Sequence, residues 1–488
     1  MGEGGVGAGG AGGVRPRLGV LLVTSGWFRD VGLQSAGGGT SASVEKTAGR
    51  LIERLGMSAD VVCAGVLYSP AEAEKAAQAI READVDGLLL APLMWCEDAI
   101  PRAALRLLPG LPLALWTFSP EPTLPDFVPF QRMLQGSGPV CTMQLSGMLR
   151  REGRQFHGIV GHLEDPEAYA EINALAAGMA VRRRLASLRI GVLPFPCSQM
   201  STTYTDEFGL RAAYGIELRY LELERVRRSA AQCDPASIAA FRADMGARGM
   251  HIAVDEGNLA EAIRYALALE RIVREESLSA LAVNDVIEET HASFGLRPCL
   301  WNPRLSASGT VVAMEADVAA ATGMAVLRLA TGDSPFYAEP FSIDHGANAV
   351  LMGHAGYHDG SNADPAAAVQ VVNDVEYENS DRFTGAVTFF KYRPGPVTSV
   401  NSVWSLRGLK WVIAEGESLA GPARMDGNSH LVFQPDAGVK GFFSHAVDSG
   451  VSQHWLFVPG RIAHALTLVC RVAGIEASVV RPGGAPPG

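Results

Sequence analysis

Short apolar runs separated by helical segments constrain this chain more than any other feature. Leu18-Gly-Val-Leu-Leu-Val, Asp60-Val-Val-Cys-Ala-Gly-Val-Leu, Gly87-Leu-Leu-Leu-Ala-Pro, Leu113-Ala-Leu-Trp-Thr-Phe and His157-Gly-Ile-Val-Gly recur before residue 165. Between the first two, Ser41–Leu55 has helical spacing. Ser69-Pro-Ala-Glu then sets a capping serine before a first-turn proline. Strands that are apolar throughout, rather than alternating, need cover on both faces, which predicts a parallel sheet between helix layers. Ligands of such sheets bind beyond the carboxyl ends of the strands. Trp27 and the segment Trp116–Pro120 fall at those ends.

A long helix is predicted from Asp165 to Ala186, and a second alternating unit begins at Leu188-Arg-Ile-Gly-Val-Leu-Pro. It runs through Ile216-Glu-Leu-Arg-Tyr-Leu-Glu-Leu, a helix over Leu259–Glu275 and Leu278-Ser-Ala-Leu-Ala-Val-Asn. After about residue 340 the texture changes. Runs such as Ala386-Val-Thr-Phe-Phe and Leu409-Lys-Trp-Val-Ile-Ala are separated by Gly, Pro and Asn, which reads as an antiparallel sheet or barrel closed by a helix near 460–473. The expected fold is α/β: two Rossmann-like, doubly wound parallel-sheet domains (17–187 and 188–340), then a β-rich, barrel-like C-terminal domain (341–488). Residues 1–16, mostly Gly and Ala, read as a disordered tail.

Composition excludes several classes. A formal net charge of −11 with no long Lys/Arg cluster argues against a nucleic-acid partner. No apolar run is long enough to span a bilayer. The seven cysteines are scattered, with no Cys-x-x-Cys, so neither a disulfide frame nor a zinc knuckle is expected. A reducing, cytoplasmic location fits this usage. Gly37-Gly-Gly-Thr lacks the lysine of a phosphate loop, and no Gly-x-Ser-x-Gly elbow occurs.

Five residues then stand out. Glu315 and Asp317 lie in Met-Glu-Ala-Asp, at the start of a predicted helix. Glu339 follows in Phe-Tyr-Ala-Glu-Pro, His354 in Leu-Met-Gly-His and His454 in Gln-His-Trp-Leu. Each alone has an ordinary explanation: helix-start acids beside the dipole, a loop acid, structural imidazoles. Together, two carboxylates and two imidazoles suit one hard-to-borderline divalent ion such as Mn²⁺. Acids beside such an ion also move protons at a carbon next to a carbonyl. His291, His345, His430 and His445 are weaker candidates.

At these residues the sequence resembles the L-arabinose isomerase / L-fucose isomerase superfamily, over nearly the whole chain after the tail. Trp116-Thr-Phe-Ser-Pro120, Gln144, Phe156-His-Gly-Ile-Val-Gly-His162, Met200 and Asp206 match its segments in order. The resemblance implies Glu315 and Glu339 as catalytic acids. With His354 and His454 they would also be ligands of Mn²⁺ or another divalent metal. It places Trp116, Gln144, Met200 and Asp317 as substrate contacts; Trp27, by its strand-end position, and Arg304, the basic residue close before Glu315, are added to them. The resemblance implies an aldose–ketose isomerase working through a cis-enediol, assembled as a homotrimer or homohexamer. With no Gly-rich helix start or clustered Arg and Lys beside these acids, and a net charge of −11, the expected substrate is a small non-phosphorylated sugar. A related epimerase, an isomerase of an unusual polyol or branched sugar, and a non-catalytic sugar-binding protein are the alternatives. The sugar-recognition segments depart from the family: Ser25-Gly-Trp-Phe28 replaces a Gln-His pair, and Ala-Asp-Val-Ala replaces Gly-Asp-Trp-Lys.

Overall fold

A computed structural model describes residues 13–30, 39–377 and 385–483. Of the expected tail, residues 1–12 lie outside these. Arg15, by contrast, is tied down, its guanidinium bonding Asp60 and the carbonyls of Met57 and Ala59. The chain divides into two compact units, meeting in sequence at Arg183 and Arg184.

The first unit is built on five strands: β1 (Arg17–Val23), β2 (Asp60–Leu67), β3 (Gly87–Pro92), β4 (Leu113–Ser119) and β5 (His157–His162). They form one parallel sheet in the order β2-β1-β3-β4-β5. β3 is buried at every position and β1 at all but its first, as expected of strands covered on both faces. The helix Pro70–Glu82 starts where the sequence sets it, with Ser69 accepting from the Glu72 amide. Ala73, Ala76, Ala77 and Ile80 pack its inner face on the sheet.

The second unit opens with β6 (Arg189–Leu193) and β7 (Glu217–Tyr220), followed by β8 (His251–Ala253), β9 (Ala280–Val283) and β10 (Val311–Met314). Four of these make a parallel sheet in the order β10-β9-β6-β7. β8 instead joins a small sheet with β13 (Gln370–Asn373) and β14 (Ala386–Phe389). β7 is shorter than the apolar run suggested, because the chain turns into the helix Leu223–Ala231.

The remaining strands are β11 (Phe336–Asp344), β12 (Ala349–His354), β15 (Gly395–Ser405), β16 (Gly408–Ser418), β17 (Ser429–Pro435), β18 (Trp455–Pro459) and β19 (Glu476–Val479). The order β15-β18-β11-β12-β17-β16 closes on itself through β15–β16 pairing, giving a six-stranded antiparallel barrel with β19 added in parallel beside β16. Phe336, Val412, Leu431, Phe433, Phe442 and Phe457 are among the residues of its core. Barrel and sheet share the helix Val318–Thr331, which packs on β9 and β10 on one side and β15 and β18 on the other. Ser402 of β15 donates to the Ala319 carbonyl, and Gly323 has no room for a side chain against Ser402 and Leu456. The barrel starts at Phe336, earlier than the expected 341, so Glu339 is a barrel residue.

Candidate active site

Glu315 directly follows β10, at the carboxyl end of the second parallel sheet, where ligands of such sheets bind. Its backbone is unusual. Glu315 and Ala316 have φ of 59° and 52°, two successive non-glycine residues in the left-handed region. Asp317 then caps the helix Val318–Thr331, accepting from the Ala320 amide at 2.8 Å. The barrel supplies the rest from three adjacent strands. Glu339 is on β11, between β18 and β12. His354 ends β12, next to Gly353, which pairs with Glu339 across the strands. His454 immediately precedes β18, its carbonyl held by the Asn401 amide at 2.7 Å.

These elements converge on the Glu315 carboxylate. His454 Nε2 lies 2.8 Å from Glu315 Oε2, and His454 Nδ1 lies 2.7 Å from Asp317 Oδ2. His354 Nε2 lies 3.6 Å from Glu315 Oε1, while His354 Nδ1 donates to the Ala355 carbonyl. That bond fixes the His354 tautomer and leaves Nε2 as a lone pair, buried and without a hydrogen-bond partner. Asp317 orients His454 in the way carboxylates orient metal-bound imidazoles. Glu315, His354 and His454 each offer one ligand atom, all within 4.8 Å of one another. One oxygen and two imidazole nitrogens, one of them orphaned, make a donor set that fits a divalent cation. Tyr337 is wedged against both imidazoles, its ring centroid 4.8 Å from His354 and 4.7 Å from His454.

The electrostatics separate the two glutamates. Burial pushes Glu315 up, but the two imidazoles beside it, His354 and His454, overcome this and hold it well below the usual carboxylate range. Burial raises Glu339, and the neighbouring histidines offset that only in part. Among the described residues the Glu339 carboxylate makes no hydrogen bond. For His454, burial lowers the imidazole and Asp317 and Glu315 more than reverse it, to about 9. Burial likewise lowers His354, and Glu315 raises it further than that.

The other expected contacts fall in varied places. Gln453, beside His454, reaches both Met200 Sδ at 3.0 Å and Glu315 Oε2 at 3.4 Å, which puts Met200 at the edge of the cluster. Asp317 touches His454 and a helix end, so it supports a histidine instead of facing a cavity. Trp116 is a core residue, wholly buried in β4 with its ring edge-on to Phe118 and Tyr169. Its position within a doubly covered strand leaves it no opening; Ser119 and Pro120, at the end of the same strand, line a cleft of about 600 Å³. Trp27 is exposed on the turn after β1. Gln144 accepts from the Trp95 indole and donates to Asp98. Arg304 is not placed with the cluster. It caps no acid there, lying 3.6 Å from Glu270 and over the Phe241 ring. His430 is structural, both nitrogens occupied by the Asn428 carbonyl and the Arg424 amide. Sequence reasoning passed over Gln453, Tyr337 and Asp285. Asp285 follows an apolar strand end, a position that could have flagged it.

No family model matches the sequence. Two curated relatives, from Priestia aryabhattai and Priestia megaterium (strain ATCC 12872 / QMB1551), are both named sulfoquinovose isomerase. Each is 20% identical over 337 residues, which covers 68% of this chain and 74% of the relative. A solved ABC sugar transporter component from Legionella pneumophila, a periplasmic sugar binding protein, aligns with 66% of this chain and 97% of its own. It does so at 10% identity and a TM-score of 0.15, too low to carry any argument. No helix among the described residues is long and apolar enough to cross a membrane.

Proposed function

We propose that this protein is a metal-dependent aldose–ketose isomerase, an intramolecular oxidoreductase acting on a small non-phosphorylated sugar. The observation that carries the reading is the buried Glu315 carboxylate set between His354 and His454, with the His354 Nε2 lone pair unclaimed. The distant similarity to enzymes named sulfoquinovose isomerase supports the class. Glu315, His354 and His454 would hold the ion, with Glu339 beside them, and the mixed oxygen and nitrogen donors favour Mn²⁺. When bound, such an ion supplies Lewis-acid polarisation of the substrate's carbonyl oxygen.

The protein's own groups move the protons. Isomerisation shifts one proton between C2 and C1 and another between O1 and O2. Glu339, its carboxyl raised and not tied by hydrogen bonds, takes the C2 proton and returns it to C1 through a cis-enediol. Glu315 stays ionised and accepts from the hydroxyl whose proton moves between oxygens. Two carboxyls pushed in opposite directions by their surroundings suit this division of labour. Asp317 and the Ala355 carbonyl keep the two imidazoles turned toward the cluster.

The same reading includes a homotrimer or homohexamer. Exposed apolar side chains in the first unit, among them Leu124 at 87%, Phe127 at 78% and Met143 at 78%, support subunit contacts there. A fully active monomer by light scattering contradicts that part. The activity is tested with a panel of free, phosphorylated and 6-sulfonated aldoses, with Mn²⁺ or a chelator, read by ketose formation. Ketose from a non-phosphorylated aldose that disappears with the chelator is the expected result. Turnover in a metal-free preparation, or epimer without ketose, defeats it.

A further inference from the structure

We propose that Asp285 is a positioning residue for Glu315, held in that role by Arg297 and Asp374; this rests on Glu315 being a metal ligand. Asp285 lies just beyond the carboxyl end of β9 and is wholly buried. Its Oδ1 accepts the Glu315 amide at 2.9 Å. Its Oδ2 makes no hydrogen bond and sits 3.6 Å from Arg297 Nη1. Arg297, 2% exposed, forks Nε and Nη2 onto Asp374 at 2.6 Å each, and Nη1 donates to Glu376 at 2.9 Å.

Such a group is a poor choice for stability alone. Buried ion pairs often contribute less than apolar residues of the same volume, and here one guanidinium faces two buried carboxylates. What the group does touch is the turn that aims Glu315. Glu315 and Ala316 are both left-handed, a conformation that L residues with a side chain adopt only under constraint. Four bonds pin the turn: the Ala316 amide to the Val283 carbonyl at 3.0 Å, the Asp317 amide to the Met314 carbonyl at 3.1 Å, the Ala320 amide to the Asp317 carboxylate at 2.8 Å, and the Glu315 amide to Asp285. Of these, Asp285 alone takes the Glu315 amide. Without it a buried N–H is orphaned, and relaxation of φ swings the carboxylate away from His354 and His454. Arg297, 3.6 Å from Asp285 Oδ2, holds Asp285 in place, and Asp374 keeps Arg297 from turning elsewhere.

Two substitutions separate geometry from charge. Asp285→Asn leaves an oxygen opposite the Glu315 amide but removes the charge. Asp285→Glu keeps the charge but pushes the oxygens out by one methylene. Mn²⁺ binding to the intact protein, read by the electron paramagnetic resonance of free Mn²⁺, should stay within about threefold for Asp285→Asn and weaken about tenfold or more for Asp285→Glu, the range seen when a ligand's supporting partner is lost. Thermal unfolding in chelator checks that each variant is folded. Asp285→Ser, too short to reach the amide, serves instead of Asp285→Glu if that variant does not fold. Wild-type affinity in Asp285→Glu (or in its Ser substitute), or equal weakening in Asp285→Asn, overturns the proposal. Glu315→Gln is the control: if it binds Mn²⁺ like the wild type, the reading of the metal site fails, whatever Asp285 does.

Discussion

The two parallel sheets are wound alike and finished differently. In each, the chain steps to one side of its first strand and then returns to the other, giving β2-β1-β3-β4 and β7-β6-β9-β10. Beyond the strand ends of the first sheet, the charged groups stay wet or pair simply. Ser25 donates to Glu97, Trp27 is exposed, and Arg50 and Arg132 each pair with a surface acid. Beyond the ends of the second sheet, Asp285, Glu315 and Asp317 are all buried, and strands of the barrel bring His354 and His454 onto them. Winding decides where a site can form. What covers the strand ends decides whether charges there are desolvated enough to be tuned.

The largest effect should come from removing the carboxylate proposed to carry the proton. Glu339→Gln should lower kcat by about 10²–10⁴ while Mn²⁺ still binds. A variant that keeps near-wild-type turnover shows that Glu339 carries no proton. The first sheet should answer differently. Trp116→Ala removes a core indole and should cost about 3–5 kcal/mol of stability, with kcat per folded molecule unchanged. Denaturant titration beside an active-site count reads both. A kcat loss larger than the folded fraction explains would return Trp116 to the substrate.

Acid titration sharpens the contrast next. With no ion bound, burial lowers His454 but Asp317 and Glu315 raise it to about 9. The ion must displace that proton, so Mn²⁺ affinity should fall about tenfold per pH unit below this value. The sign for the metal-free fold is opposite. A raised imidazole adds stability fully below its unfolded value of 6.5, and this is lost as pH rises through about 9. Calorimetric titration and melting in chelator check the two arms; a flat Mn²⁺ affinity between pH 6 and 9 contradicts the His454 assignment. The smallest effect belongs to Arg304→Ala, which should change stability by no more than about 0.5 kcal/mol and leave kcat/KM alone for free and phosphorylated sugars. A tenfold fall for a phosphate ester alone would move Arg304 into the site.

Why some of this was readable in the sequence and some was not follows from the range of each interaction. Strands such as Gly87–Pro92 announce double cover by being apolar throughout, and Ser69-Pro announces a helix start within four residues. Glu315, His354 and His454 stood out by chemistry and order, and the fold brings them together. Trp116 misled because an indole near a strand end reads equally as core or as stacking surface. Arg297 and Asp374 carry no local sign of pairing, since their bond joins residues 77 apart. The left-handed turn at Glu315 was also hidden, for Glu-Ala is not a pair that favours it.

The helix Val318–Thr331 has a consequence for how the chain is made. Val318 through Leu327, and Ala330, are buried, so this helix has no face meant for water among those residues. One side waits for β15 and β18, which are synthesised long after it. Until then the nascent chain carries an apolar rod that only a chaperone or the sheet behind it can shield. A protein truncated after the second sheet should therefore precipitate, not fold as an independent domain. The last of the proposed ligands, His454, and the strand that seals the rod are delivered by the same stretch of chain, so completing the cluster and ending the aggregation hazard are one event.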